Sequence, residues 1–336
     1  MRMGLSNAEY DAILRDYDAQ QTMNRHDLEA RKAAVYKAVP VLSELDDRIA
    51  SGSVEATIQA LRGDENAVEV NRRNIELIMN QKKQLIRQAG FPDDCLEMHY
   101  KCPECKDTGF HDGAMCYCFK QEIINRYYLE PGRKELLDKE NFSTFDLNCY
   151  SDEGIDESTG LTYRQNAEDC LQKAYSYAAH FATNHRNLLL TGSTGVGKTF
   201  LSNCIAKALM IAGHTVMYLP AARLFEIFEH YRFGKNEENA QAVKDYDMIL
   251  DSDLLIIDDL GSEIGNAYSV SQLFTCLEER QLHNKPVLIS TNLGMEQIRA
   301  RYSERISSRL FRNYQNIKLV GDDIRVRKAF FDGSPD

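Results

Sequence analysis

The motif GSTGVGKT, which begins at Gly192, constrains the fold of this 336-residue chain more than any other feature of its sequence. It follows the apolar run NLLLT, which begins at Asn187. It precedes a segment whose apolar residues recur at helical spacing, namely Leu201, Cys204, Ile205, Ala208 and Leu209. The pattern G-x-x-x-x-G-K-T between a strand and a helix is typical of a loop that wraps nucleotide phosphates with backbone N–H groups. The sequence therefore predicts a P-loop.

Each position of this motif has an expected part in binding ATP and Mg²⁺. The predicted nucleotide-binding residues are Gly192, Ser193, Thr194, Gly195, Val196, Gly197, Lys198, Thr199 and Phe200. The glycines allow the backbone to turn its N–H groups inward at the positive end of the helix dipole. Lys198 is expected to contact the β- and γ-phosphates, and the hydroxyl of Thr199 is expected to be a Mg²⁺ ligand.

A second apolar run, LLIIDDLG from Leu254, predicts a buried Walker B strand that ends in two carboxylates. Asp258 is expected to hold Mg²⁺, either directly or through water. Asp259 is the candidate for polarising the attacking water; alternatively, it caps a helix or faces solvent. Because aspartate is shorter than glutamate by one methylene group, we expect ATP hydrolysis to be slow or to require a partner that closes the site.

Five apolar runs alternate with helical segments after residue 164, at 187–191, 215–219, 253–258, 286–291 and 317–320. This alternation predicts an α/β fold in which helices cover both faces of a parallel sheet. Asn292 directly follows the fourth run. We expect its side chain to hold the attacking water or to contact the γ-phosphate, unless it is a simple turn residue.

The first part of the chain, residues 5–90, predicts helices, with breaks at Pro40 and at residues 51–53. One of these helices carries a narrow apolar stripe formed by Val68, Ile75, Ile78, Met79, Leu85 and Ile86. Such a stripe suits two roles equally well, since it can pack against neighbouring helices or dock a partner protein.

Four of the nine cysteines crowd between Cys102 and Cys118. An odd total argues against a disulfide framework, and four soft ligands in a short, turn-rich segment favour structural Zn²⁺. Because the second pair has the tight spacing C-x-C, His111 is an alternative ligand. A redox pair is disfavoured because no strand–helix unit surrounds Cys102, and an iron–sulfur cluster is a weaker alternative still. The predicted zinc ligands are Cys102, Cys105, Cys116 and Cys118.

These features predict four parts: a helical partner-binding region at 1–95, a zinc module with a helix at 96–140, a polar linker at 141–163 and an ATPase domain at 164–336. Phe142 and Phe145 are expected to pack onto the ATPase domain. No apolar run approaches the roughly 20 residues that span a bilayer, and the N-terminus lacks the apolar core of a signal peptide. We therefore expect a cytoplasmic protein without membrane contact.

From residue 165 to 330 the chain resembles the AAA+ ATPases. The segments GSTGVGKTFLSNCIAKAL, LLIIDDLGSE, LISTN and ERISSRL are similar to the helicase loaders of the DnaC/DnaI type and to the related transposition helper IstB. The resemblance implies self-association through the nucleotide sites, with an arginine that reaches the nucleotide of the neighbouring subunit. That residue corresponds to Arg305, with Arg309 as the next candidate. Arg325 is a further candidate for sensing phosphate.

Aromatic and basic residues lie close together before the Walker B strand. The resemblance implies binding of single-stranded DNA, for which Tyr231, Arg232, Phe233 and Lys235 are the candidates, since aromatic rings stack on bases and cations pair with phosphates. Phe225 and Phe228 are better explained by core packing. The net charge of −11 argues against broad, non-specific affinity for nucleic acid.

The resemblance implies an ATP-dependent helicase loader in DNA replication. The N-terminal region would bind the replicative helicase, and the AAA+ domain would bind ATP and single-stranded DNA. The cysteine module favours the DnaI-type loaders over the IstB-like transposition helpers, which are the first alternative. The second alternative is an ATP-gated adaptor or chaperone with little hydrolysis, and Asp259 in place of glutamate is compatible with it.

Overall fold

The computed structural model of the chain describes residues 7–64, 66–127, 132–233 and 237–325. The chain divides into two compact units. One is Leu14–Ala114, and the other combines Met115–Asp336 with Met1–Ile13. Within the described ranges, no helix is long and apolar enough to cross a membrane.

Three long helices dominate the unit Leu14–Ala114, and they are α1 (Asn7–Ala38, which begins before the unit), α2 (Val41–Leu61) and α3 (Ala67–Gln88). Their core contains Val35, Leu42 and Ile86, with Cys95 from the segment after α3. The helical prediction for this region is confirmed, and the predicted break at Pro40 separates α1 from α2.

The predicted break at residues 51–53 is wrong, because α2 continues through it. The hydroxyls of Ser51 and Ser53 donate to the backbone oxygens of Asp47 and Ile49, each at 2.7 Å and one turn earlier. These bonds satisfy the serine side chains inside the helix, so serines that favour turns in isolation do not end it here.

Only part of the apolar stripe predicted on α3 packs against neighbouring helices. Ile86 is buried in the helical core and Leu85 packs against it. A larger group on α2 and α3 is exposed to solvent: Val54, Ile58, Leu61, Val68, Val70, Leu77 and Met79. Internal packing therefore accounts for only part of the apolar surface of this helix pair.

Within the described residues, a short hairpin of β1 (Phe110–His111) and β2 (Ala114–Met115) is followed by nine helices, five strands and one 3-10 turn (Leu147–Cys149). The helices are α4 (Tyr117–Tyr127), α5 (Arg133–Lys139), α6 (Tyr163–Ala179), α7 (Lys198–Ile211), α8 (Ala221–Phe233), α9 (Glu237–Asp251), α10 (Ala267–Leu282), α11 (Met295–Tyr302) and α12 (Glu304–Asn313). The strands are β3 (Asn187–Thr191), β4 (Val216–Pro220), β5 (Leu254–Leu260), β6 (Val287–Thr291) and β7 (Tyr314–Lys318).

The five strands β3–β7 form one parallel sheet in the order β4-β5-β6-β3-β7. Leu254 and Ile256 belong to the cluster that includes α7, whereas Leu255 and Ile257 alternate to the opposite face and are equally buried. Burial on both faces explains why β5 reads as a continuous apolar run. The predicted parallel sheet flanked by helices is confirmed, although β7 begins at Tyr314 rather than Ile317.

The order of the strands brings the carboxyl ends of β3, β5 and β6 together at one edge of the sheet. This is the edge at which ligands bind in open α/β sheets. Phe142 and Phe145 pack against the core cluster of this unit, as predicted.

Candidate nucleotide-binding site

The P-loop connects β3 to α7 and carries its lysine in a largely buried position. Lys198 is 8% exposed, and its amine donates to the backbone oxygens of Gly192 at 2.8 Å and Ser193 at 2.7 Å. Burial lowers the pKa of Lys198, although Asp259 and Asp258 act in the opposite direction. Phosphate oxygens are the natural replacement for these carbonyl acceptors, because they would add the negative charge that the buried ammonium group lacks.

Two glycines of the loop are required by close neighbours as well as by backbone conformation. Gly195 has φ +80°, and a Cβ atom there would lie 2.1 Å from the carboxylate of Asp323. Gly197 has φ +101°, and a Cβ atom there would lie 2.6 Å from the hydroxyl of Tyr150. The loop is therefore enclosed by two segments, one after β7 and one before α6.

Asp258 lies on β5 beside the start of α7 and is 7% exposed. Its carboxylate accepts hydrogen bonds from Thr199 at 3.2 and 3.3 Å, from Tyr218 at 2.8 Å and from Ser290 at 2.5 Å. A carboxylate and a threonine hydroxyl in contact are the oxygen donors that a Mg²⁺ site in a P-loop protein uses. The residues present therefore fit the ion that the sequence predicted.

Asp259 is exposed and has a left-handed backbone, with φ +57°. It follows a register shift between Ile257 and Leu260, and its N–H donates to the hydroxyl of Ser290 at 2.8 Å. This bulge directs Asp259 to the nucleotide pocket, which it lines together with Asp258. Aspartate is one of the few residues that adopt a left-handed backbone readily.

The pocket has a volume of about 570 Å³ and an aromatic wall beside the P-loop. The ring of Phe145 stacks on Tyr150 at 5.8 Å and meets Phe200 edge-on at 5.4 Å. The hydroxyl of Tyr150 donates to the backbone oxygen of Val196 at 2.9 Å, and burial raises the pKa of this phenol. Tyr150 was not predicted as a site residue, and its only sequence signal is an aromatic ring at the edge of a polar segment.

Two further predicted residues lie near the P-loop. The amide of Asn292 approaches the hydroxyl of Thr194 in the P-loop, with 3.4 Å between Nδ2 and Oγ1. Arg325 lines the pocket, and its charge contributes to the lowered pKa of Lys198. Asn292 thus approaches the P-loop from the end of β6, and its contact with a γ-phosphate or an attacking water stays a prediction.

The two arginines of ERISSRL have different surroundings on α12. Arg305 is exposed on the first turn of the helix. Arg309 forms an ion pair with Glu278 of α10, and its guanidinium lies 5.0 Å from the ring centre of Phe274. Among the described residues, neither arginine lines the pocket of its own chain. Of the two, Arg305 is therefore the one whose side chain is exposed to solvent.

The candidates for DNA contact are described only in part. Tyr231 stacks on Tyr246 with ring centres 4.9 Å apart, and the guanidinium of Arg232 lies 5.6 Å from the ring centre of Tyr268. The side chain of Phe233 and the whole of Lys235 lie outside the described residues. Phe225 and Phe228 are buried, as expected for core residues.

The cysteine cluster forms a compact group of four sulfur atoms. The Sγ atoms of Cys102, Cys105, Cys116 and Cys118 all lie within 4.8 Å of one another. Tetrahedral thiolates around Zn²⁺ are separated by roughly 3.8 Å, given Zn–S bonds of about 2.3 Å. The N–H of Gly109 also donates to the sulfur of Cys105 at 3.3 Å. The four sulfurs therefore form a group that could hold a metal ion.

A buried carboxylate orders the turn that carries the first cysteine pair. Asp107 is 2% exposed and accepts from the backbone N–H groups of Lys101 at 2.9 Å and Cys102 at 2.7 Å, and from the amide of Asn24 at 2.7 Å. His111 is exposed, and its ring lies beside Asp112 instead of joining the sulfur group. The arrangement thus favours the four cysteines over the alternative that includes His111.

The structure defines an ATP-binding P-loop domain of the AAA+ class. Its defining features are the parallel sheet, the P-loop, the two Walker B aspartates and the polar residue Asn292 after the adjacent strand. The family profile described as IstB-like ATP binding protein matches residues 160–329, just over half of the chain. The protein belongs to this IstB-like ATP-binding family, and the predicted relationship is confirmed.

The chain is similar in sequence to two named proteins and aligns with one solved structure. The chain is 24% identical over 151 residues to the replicative helicase loader DnaC of Escherichia coli, covering 44% of this chain and 60% of that protein. It is 24% identical over 261 residues to the phage-like element PBSX protein XkdC of Bacillus subtilis, covering 72% and 91%. A crystal structure of DnaI aligns with a TM-score of 0.44 at 24% identity, covering 59% of this chain and 95% of that one.

Proposed function

We propose that the protein is an ATP-dependent helicase loader in DNA replication. The observation that carries the proposal is an ordered ATP site in an IstB-like domain, joined in one chain to a helical unit with exposed apolar residues. The similarity to DnaC, a replicative helicase loader by name, supports the choice of partner.

The ATP site is proposed to act as half of a site shared between subunits. Bound ATP with Mg²⁺ would supply the phosphoryl group for hydrolysis. Lys198 would hold the phosphates, Asp258 and Thr199 would hold the metal, and Asp259 with Asn292 would orient the attacking water. Arg305 from a neighbouring chain would complete the site, so binding of ATP would favour self-association as well as hydrolysis.

The helical unit is the proposed helicase-binding part. Leu77 is 68% exposed and Leu61 is 84% exposed, which are high values for leucine side chains on ordered helices. Exposed apolar groups on a helix pair are typical of protein-binding surfaces. The four-cysteine segment is proposed to hold structural Zn²⁺, which would order the turn-rich chain after α3.

The DNA-binding part of the proposal concerns the end of α8. Arg232 is exposed and Tyr231 is half-buried, so both present part of their side chains to solvent. Single-stranded DNA is the expected ligand, because stacking on rings and pairing with cations do not require a particular base sequence.

The test combines the full-length protein with the replicative helicase encoded in the same genome. We expect the immobilised protein to retain the helicase, and we expect ATP to promote transfer of that helicase to a circular single-stranded DNA. A Leu61→Ser/Leu77→Ser double variant should lose helicase retention while binding ATP normally, and Lys198→Ala should retain helicase but not load it.

Three results would contradict the proposal in distinguishable ways. Absence of helicase retention by a folded, ATP-binding protein would exclude the loader function. Retention of a transposase in its place would favour the transposition helper. ATP-dependent binding of the helicase without detectable hydrolysis, even with DNA present, would favour the ATP-gated adaptor.

A further inference from the structure

The two strands that flank β5 each direct one buried hydroxyl to the carboxylate of Asp258. Tyr218 on β4 is 2% exposed and donates to Oδ2 at 2.8 Å. Ser290 on β6 is 1% exposed and donates to Oδ1 at 2.5 Å. The carboxylate is therefore held on both oxygens, from opposite sides, by the strands on either side of its own.

These two hydrogen bonds matter because an aspartate carboxylate is otherwise poorly oriented. The last torsion of an aspartate side chain has a broad distribution, so packing alone does not select one orientation of the two oxygens. A carboxylate has about four acceptor positions. Tyr218 and Ser290 occupy one on each oxygen, and Thr199 approaches both oxygens from the P-loop. The remaining acceptor positions would receive Mg²⁺ or its water ligands.

Both hydroxyls are themselves fixed by their surroundings. The phenol of Tyr218 is buried and carries its proton at neutral pH, so it remains a donor. The guanidinium of Arg133, on α5, lies 4.5 Å from the centre of the Tyr218 ring. Ser290 also accepts the N–H of Asp259 at 2.8 Å, so one hydroxyl contacts both Walker B aspartates.

We propose that Tyr218 and Ser290 are positioning residues that hold the carboxylate of Asp258 in the orientation that receives Mg²⁺ beside Thr199. The inference rests on the ATP-binding part of the proposed function, and it is independent of the helicase and of DNA. It requires that loss of either hydroxyl weakens the use of Mg²⁺ more than the binding of the nucleotide.

The test measures the affinity of full-length protein for a fluorescent ATP analogue over a range of Mg²⁺ concentrations. In Tyr218→Phe, the Mg²⁺ concentration at half-maximal effect should rise about tenfold, since a hydrogen bond to a charged group contributes at least that factor. Affinity without Mg²⁺ should change by less than about twofold, because Tyr218 does not line the nucleotide pocket.

Tyr246→Phe is the matched control. Tyr246 is 6% exposed and donates to the carboxylate of Glu279 at 3.2 Å, and neither residue lines the pocket. The control should show the wild-type Mg²⁺ dependence. Ser290→Ala is the second variant, and it should shift the Mg²⁺ dependence in the same direction as Tyr218→Phe.

Thermal unfolding separates a positioning role from a structural one. An unchanged Mg²⁺ dependence in a folded Tyr218→Phe protein overturns the inference, as does an equal loss of affinity with and without Mg²⁺. If Tyr218→Phe does not fold, Ser290→Ala decides by the same criteria. A wild-type protein that binds Mg²⁺ and ATP as expected but loads no helicase contradicts only the proposed function.

Discussion

Replacement of Arg305 with alanine should separate ATP hydrolysis from stability. Arg305 is exposed on the first turn of α12, and substitutions at such positions usually change the free energy of unfolding by less than about 0.5 kcal/mol. An arginine supplied in trans accelerates hydrolysis by about 10³–10⁵ in GTPase systems. We expect hydrolysis to fall by at least about tenfold here, with ATP affinity nearly unchanged.

Arg309→Ala is the comparison variant, because it also replaces an arginine of α12 with alanine. This change removes the ion pair with Glu278, whose side chain is 38% exposed, and the contact with Phe274 at 5.0 Å. Together these contribute about 1–2 kcal/mol. For a unit of this size the loss corresponds to a decrease of about 2–8 °C in the unfolding temperature. Arg309→Ala should therefore lower stability, whereas Arg305→Ala should lower hydrolysis.

Mixing experiments test whether Arg305 acts on a neighbouring subunit. The Lys198→Ala protein keeps Arg305 but lacks the P-loop cation. The Arg305→Ala protein keeps Lys198 but lacks the arginine. Each should hydrolyse ATP more slowly than wild type by at least about tenfold when alone, and a mixture should hydrolyse ATP faster than either protein alone. Normal assembly without recovery in any mixture would refute action in trans. A larger loss of hydrolysis in a stable Arg309→Ala protein would assign the role to Arg309.

Three further changes test other parts of the structure. Lys198→Ala should abolish ATP binding, and unchanged affinity in a titration would contradict the nucleotide site. Metal analysis should find about one zinc ion per chain, lost in a Cys102→Ser/Cys105→Ser variant together with the order of this segment; a folded, metal-free wild-type protein would contradict the zinc site. Arg280→Met should lower the free energy of unfolding by about 3–5 kcal/mol, because it leaves buried carbonyl groups without a donor; an unfolding temperature within about 2 °C of wild type would contradict this.

The prediction for Arg280, which lies on α10, follows from its contacts with the residues that precede β5 and β6. Its guanidinium is 1% exposed and donates to the backbone oxygens of Ile249, Ser252, Asp253 and Pro286. Burial lowers its pKa to about 10, so the group stays charged at neutral pH. The arginine thereby connects the segment before β5 with the segment before β6. These two strands carry Asp258 and Ser290, respectively.

Local sequence patterns were sufficient where neighbours along the chain decide the structure. The strand before Gly192, the helix after Lys198 and the apolar run ending at Asp258 could be predicted because each has its own periodicity and its own start or end signal. The same reasoning failed at residues 51–53. There the serine hydroxyls bond within the helix, and α3 packs alongside to stabilise α2 beyond its local preference.

Contacts between distant segments decided the rest. Ser290 reads as one more residue of an apolar strand, and Tyr218 as an aromatic core residue, until the strand order places both against Asp258. Arg305 and Arg309 look equivalent in ERISSRL, and only the position of α10 pairs one of them with Glu278. The P-loop could be identified from residues 192–199 alone because a phosphate-binding loop is built from consecutive backbone groups. The hydrogen bonds that the Asp258 carboxylate accepts depend on three strands that meet only after folding, since hydrogen bonds form between neighbours in space.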